Sequence, residues 1–217
     1  MVTSLTLKHY KGTIEALQEF FKWFHYLQHF KMVYTLQPTN IRPNLIATAL
    51  LDHRHSLKTL TFGHDYGWNE SLPEPIDVSR FTSLEMIQLN GWYMEPEWVP
   101  SHVCANILSA PRLKKFIWDS TAYDTLDDSY VPLDDESITW QGDWFVELVR
   151  LAHAQGRALR EIVIIFGPPS SQHFYWRGGE NVPKLLEEVR KEIEKLGVQL
   201  TFESRSFLTE EQVCMGD

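Results

Sequence analysis

The sequence predicts an α/β fold: a short, irregular solenoid of parallel strands on a concave face, backed by helices on a convex face. Two observations predict it. A pattern of apolar, two residues, apolar, one residue, apolar returns six times, as Val2-Leu5-Leu7, Leu27-Phe30-Met32, Leu57-Leu60-Phe62, Leu84-Ile87-Leu89, Leu113-Phe116-Trp118 and Leu159-Ile162-Ile164. A weaker copy, Gly197-Leu200-Phe202, closes the series. The first five copies start 25, 30, 27 and 29 residues apart, and the last two follow after 46 and 38. A strand recurring at that interval marks stacked units, each of which must lean on its neighbours to bury its apolar side. Between copies the period also changes from two to that of a helix, which supplies the crossover that parallel strands require.

Each copy ends in two apolar residues two apart, which sends both side chains to one face of a strand. From Thr13 to Phe24, Ile14, Leu17, Phe20, Phe21 and Phe24 share one helical face, with Glu15, Gln18, Glu19 and Lys22 opposite. A shorter helix is expected from Asn44 to Leu51, after Pro43. A third is expected from Glu97 to Ser109, stopping before Pro111, because the residue ahead of a proline is pushed out of the helical region. The fourth spans Trp140 to Ala154, with Trp144, Phe145, Leu148, Leu151 and Ala152 inside and Gly156 as its stop. The fifth, Val182 to Leu196, buries Leu185, Leu186, Val189 and Ile193 behind a charged outer face and stops at Gly197. Between Phe62 and Leu84 only a single turn is expected, at residues 77–81. The whole chain reads as one domain, 1–217, with a long acidic loop at about 119–137.

Composition narrows the function. With 20 Lys and Arg against 29 Asp and Glu, the net charge is −9, which disfavours nucleic acid and anionic membranes because both need cations to meet phosphates. Cys104 and Cys214 lie far apart with no metal or redox spacing, as expected of free thiols in a reducing compartment. No apolar run approaches the roughly 18–20 residues of a membrane span. The N-terminal residues enter a strand at once and do not read as a signal peptide. The expected location is cytoplasmic or nuclear.

The segment 107–119 (ILSAPRLKKFIWD) resembles a recurrent element of fungal F-box-type proteins with irregular leucine-rich repeats. So do 4–7 (SLTL) with 15–23 (EALQEFFKW), 81–89 (FTSLEMIQL) and the end from Leu186 to Phe202, in that family's order. The resemblance implies a leucine-rich-repeat fold and work as a substrate-recognition subunit, in which an F-box grips the ubiquitin-ligase core and the repeats grip the target. It covers the repeat region only. An F-box is a helical unit of roughly 40–50 residues, a supersecondary element of its own, placed before the repeats. Here the repeats start at residue 2, so the ligase core is an expected partner only where an F-box precedes this chain.

A partner is expected at two places. Residues alternating with the core positions point to the concave face, among them Lys31, Thr61, Gln88, Asn90, Ile117 and Val163. Their mixture of charge, polarity and apolar groups suits a protein or peptide. The connections after the strands leave at one edge and hold Tyr66, Trp68, Trp92, Tyr93, Trp98, Tyr123 and Trp176. From Asp119 to Val149 there is no Lys or Arg, and nine acids, including Asp119, Asp127 and Asp128, equal the whole net charge. Carboxylates beside aromatic faces would suit a basic peptide. The plain alternative is a solvated acidic loop.

Catalytic chemistry is not expected. His25 and His29 are four apart, but the pattern puts His29 on a strand, and metal sites need at least three protein ligands. His53, His55, His64 and Asp65 cluster in sequence with no positioned partner. The segment 177–180 (RGGE) lacks the glycine spacing and Lys-Ser/Thr of a phosphate loop. The expectation is therefore a protein-interaction module with no cofactor, no metal and no catalytic residues. The alternative is a small-molecule enzyme that reuses the repeat scaffold, with its site at the aromatic loop edge, and a purely structural scaffold is a third reading.

Overall fold

The structure, a computed structural model, describes residues 1–8, 10–33, 43–63, 76–90, 100–119, 135–166 and 182–204. Among these residues seven strands form one sheet: β1 (Ser4–Lys8), β2 (His29–Val33), β3 (Thr59–Phe62), β4 (Met86–Asn90), β5 (Lys115–Asp119), β6 (Glu161–Phe166) and β7 (Gln199–Ser204). Every pairing is parallel, and the strand order is the chain order. All seven expected strands are present.

The strands also enter the sheet in the same way. The carbonyl just before each strand accepts the amides that lead into the next one. Thr3 accepts from Gln28 and His29, Gln28 from Lys58 and Thr59, and Lys58 from Glu85 and Met86. Glu85 then accepts from Lys114 and Lys115, and Lys114 from Arg160 and Glu161. The units are therefore equivalent in backbone geometry, although their lengths differ.

Among the described residues, five helices lie between the strands: α1 (Ile14–Phe21), α2 (Pro43–Ala49), α3 (Pro100–Asn106), α4 (Asp135–Ala154) and α5 (Val182–Lys195). Thr13 caps α1, its hydroxyl oxygen accepting the Ala16 amide at 3.3 Å. Proline opens α2 and α3, at the position where its missing N–H costs no helical bond. Gly156 stops α4 with φ of 64°. There the Arg157 amide returns to the Ala152 carbonyl and the Gly156 amide to His153, the paired bonds of a left-handed cap. Gly197, with φ of 77°, stops α5.

Several boundaries differ from those expected. α1 ends at Phe21 rather than Phe24, its last residues turning through bonds from Trp23 to Phe20 and Phe24 to Phe21. α2 ends at Ala49 and passes into a short 3-10 turn, Leu51–His53. α3 ends at Asn106, not Ser109. α4 begins at Asp135, five residues before Trp140. The acidic stretch at 119–137 is thus part strand at Asp119 and part helix from Asp135, with 120–134 outside the described residues. At 77–81 there is a single turn, as expected, with Phe81 bonding back to Val78.

One hydrophobic cluster holds the layers together. Phe30, Leu60, Ile87, Phe116, Ile162 and Leu200 form a buried row across the sheet in direct register. Leu17, Phe21, Ile46, Val103, Leu148 and Ile193 of the helices belong to the same cluster, so the helices cover that face. The opposite, second face is left to the alternate residues. Among the described residues, no helix is long and apolar enough to cross a membrane.

Candidate functional site

The second face of the sheet is the candidate site. Direct register turns the alternate residues into three rows. The middle row reads Thr6, Lys31, Thr61, Gln88, Ile117, Val163 and Thr201. Neighbouring strands lie roughly 4.8 Å apart, which sets the spacing of the side chains along the row. Lys31, Thr61, Gln88, Ile117 and Val163 were each expected on this face, and the pairings bring all five into this one row. Asn90 ends β4 opposite Asp119, one row further along.

Exposure divides the face. At the β1–β2 end Ser4, Thr6, Lys8 and Lys31 are exposed. Gln88 and Ile117 are half-buried. Thr61 is only 8% exposed, Ile165 is 6% exposed and Val163 is wholly buried. This corrects the expectation that Thr61 and Val163 offer surface to a partner. The sequence signal is the unbroken apolar run 162–166 (IVIIF). Such a run marks a parallel strand buried on both faces, and strict alternation passes over it.

The polar groups form cross-strand pairs. His29 Nδ1 and the Thr59 hydroxyl lie 3.0 Å apart between register partners. Lys115 Nζ lies 3.0 Å from Glu161 Oε1, also between register partners, both half-buried. Gln88 Nε2 donates to Asp119 Oδ2 at 3.2 Å. Asp119 was expected on an acidic rim. It is instead the last residue of β5, 5% exposed, and is held by Gln88. The remaining loop-edge residues, Tyr66, Trp68, Trp92, Tyr93, Trp98, Tyr123, Asp127, Asp128 and Trp176, lie outside the described residues.

Among the described residues, the histidines do not converge. His53 is buried, with Nε2 3.1 Å from the Phe21 carbonyl oxygen. His55 Nδ1 bonds the Thr82 hydroxyl at 2.9 Å, and His64 lies outside the described residues. Among the described residues, no three His, Cys, Asp or Glu side chains gather to hold a metal ion. Cys104 is buried, and its Sγ donates to Gln155 Oε1 at 3.4 Å. Burial pushes its thiol above the ordinary range, and the nearby Arg157 opposes that push. A buried, neutral thiol is a packing group and a poor nucleophile.

The second face offers a row of short polar side chains, a cation at one end and apolar ground beside it. No protein-family model matches the chain, and no curated protein matches it.

Proposed function

We propose that this chain is a protein-interaction module, a short irregular leucine-rich-repeat solenoid that holds a protein or peptide target on the second face of its sheet. The reading extends to the repeat part of an F-box-type ubiquitin-ligase adaptor, or to a stand-alone relative, working in the cytoplasm or nucleus. The observation that carries the binding role is the middle row, where Thr6, Lys31, Gln88 and Ile117 stand in register on successive or nearby strands with Lys31 exposed. A parallel sheet keeps every such side chain at one height, so a target segment crossing the strands meets them one after another. The ligase role rests on the resemblance of the repeat segments alone.

The target segment carries an acidic side chain where it meets Lys31, with short polar or apolar residues toward Ile117. The test is selection of peptides from a displayed library on the whole 217-residue chain. Lys31→Glu should reverse the charge preference at one position of the selected sequences, and Ile117→Lys should weaken their binding at least tenfold. Selected peptides whose binding ignores both substitutions would remove the second face as the site. Association with ligase subunits is a separate measurement, made by coprecipitation from the native cells.

A further inference from the structure

The edge at which the strands enter the sheet carries charge of one sign at β5 and β6. The turns that lead into these strands, 107–114 and 154–160, hold Arg112, Lys114, Arg157 and Arg160 and no Asp or Glu. The same unit is acidic further on, where residues 119–149 hold nine acids and no base. The carbonyl ladder sets the cations side by side. Lys114 and Arg160 each stand one residue before a strand, and the Arg160 amide donates to the Lys114 carbonyl at 2.8 Å. Adjacent rungs lie roughly 4.8 Å apart. Arg112, two residues ahead of Lys114, is exposed, as are Lys114 and Arg160.

These cations differ in what holds them. Arg157 is occupied: Nη1 donates to the Ser109 carbonyl at 3.3 Å, and Nε and Nη2 donate to Gln155 Oε1 at 3.2 and 3.0 Å. It ties the two turns together just past the carbonyl end of α3, where a helix dipole favours a cation. Arg160 Nη1 reaches the carbonyl of its own neighbour, Leu159, at 3.4 Å. Lys114 lies 3.5 Å from Glu85 with both side chains about half exposed, a pairing that water screens to about 1 kcal/mol or less. Among the described residues, no carboxylate pairs with Arg112 or Arg160.

We infer that this edge is a second docking site, separate from the second face, and that it takes a short acidic segment of a protein partner. Carboxylates of the segment meet Arg112, Lys114 and Arg160. Each arginine presents a fixed fork of N–H donors that matches a carboxylate, and such charge-assisted bonds are among the stronger ones. The charge of the whole chain decides between a short segment and a long polyanion. That charge is −9, so a nucleic acid longer than the patch meets the acidic remainder of the chain. Screening confines the pull of the patch to about 8–10 Å, a reach that a few acidic residues fill. The patch does not run into the cation of the second face. Lys115, the residue between them at this edge, lies 3.0 Å from Glu161 and is neutralised by it, and Lys31 stands three strands away on β2.

The experiment is fluorescence anisotropy of a labelled oligoglutamate peptide with the whole chain. Saturable binding that weakens as salt rises is expected. Arg112→Glu combined with Arg160→Glu should weaken it by about tenfold or more, at unchanged far-ultraviolet circular dichroism. Lys31→Glu separates this edge from the second face and should leave the affinity for this probe unchanged. Absence of binding overturns the inference. So does an affinity that survives reversal of both arginines, or one that Lys31→Glu lowers as much. A second measurement needs no substitution and so guards against misfolding. Amide shifts of the unaltered chain, followed as the peptide is added, should change most at 107–114 and 157–160, and changes centred on β2 overturn the inference. A labelled single-stranded DNA longer than the patch is the competing probe, and it should bind more weakly than the peptide. Tighter binding of the DNA would make the edge a nucleic-acid site and overturn the acidic-segment reading.

Discussion

Gln88 reaches diagonally across the β4–β5 ladder to Asp119. Its Nε2 donates to Asp119 Oδ2 at 3.2 Å, although its register partner is Ile117. The bond fixes a carboxylate that is 5% exposed at the end of a strand. A hydrogen bond to a charged group contributes about 1.5–3 kcal/mol, and burying a carboxylate with less support costs more. Gln88→Leu should therefore lower the urea midpoint by an amount equivalent to about 1–3 kcal/mol. Adding Asp119→Asn should recover part of the loss, because a neutral acceptor is cheaper to bury. Unchanged midpoints in the single variant would mean that Asp119 is held without Gln88.

Gly142 of α4 packs directly against Val189 of α5. A Cβ built there would lie 2.5 Å from Val189 Cγ2, nearer than side-chain atoms pack. Gly142→Ala gains helix propensity of about 1 kcal/mol but forces the stiff Val189 side chain or α5 itself to move. Overpacking of this kind costs about 1–3 kcal/mol, so the variant should be less stable than the parent by up to about 2 kcal/mol. Gly142→Ala with Val189→Ala should be more stable than Val189→Ala alone, since the propensity gain then acts without the clash. Chemical denaturation of the four proteins in the cycle checks this, and additive effects would show that the two residues do not meet.

The sheet was legible in the sequence because its signal is repeated. Leu60, Ile87, Phe116 and Ile162 each sit at the same place in a seven-times-written pattern, and their register follows from aligning the copies. What the pattern cannot carry is which alternate residues stay exposed. Lys31 and Val163 occupy the same row, yet one is exposed and the other buried. That difference depends on what packs over the second face, and a two-residue period contains nothing about it. The early start of α4 at Asp135 was hidden for a related reason. A run of acids reads as solvated loop by composition, and composition carries no helical period. The ladder of carbonyls from Thr3 to Lys114 was not legible either, since backbone groups carry no residue identity.

His53 ties the turn after α2 to the end of α1. It is 3% exposed, Nε2 lies 3.1 Å from the Phe21 carbonyl oxygen, and the ring meets Phe21 edge-on with centres 6.4 Å apart. A ring nitrogen facing a carbonyl must carry its hydrogen, which fixes the Nε2-H form. His53→Ala loses that bond and opens a cavity, and should cost about 2–4 kcal/mol. His53→Phe keeps the volume and the edge-on contact but not the donor, so it should fall between the two. If the Phe variant matches the parent in thermal unfolding, the site needs only the ring.

The N-terminus of α1 gives a pH dependence with a definite sign. The Glu15 carboxyl lies below its ordinary value of 4.5, first because its own backbone N–H bonds it and then because the Thr13 hydroxyl does. Thr13 is at once the cap, since its oxygen accepts from Ala16. A carboxyl held low in the folded chain adds stability above its unfolded value and loses it as pH falls through the folded one. The contribution is therefore complete at neutral pH and fades below about pH 4.5. Thr13→Val removes the hydroxyl's bond to Glu15 and the cap together. The Glu15 midpoint, followed by carbon NMR, should rise toward 4.5. Loss of the cap should lower stability at neutral pH by about 0.5–2 kcal/mol. The stability gap between parent and variant should narrow on acidification, leaving the part due to the Ala16 bond, which does not titrate. A gap that stays constant through that range would show that Thr13 acts on the helix alone and not through Glu15.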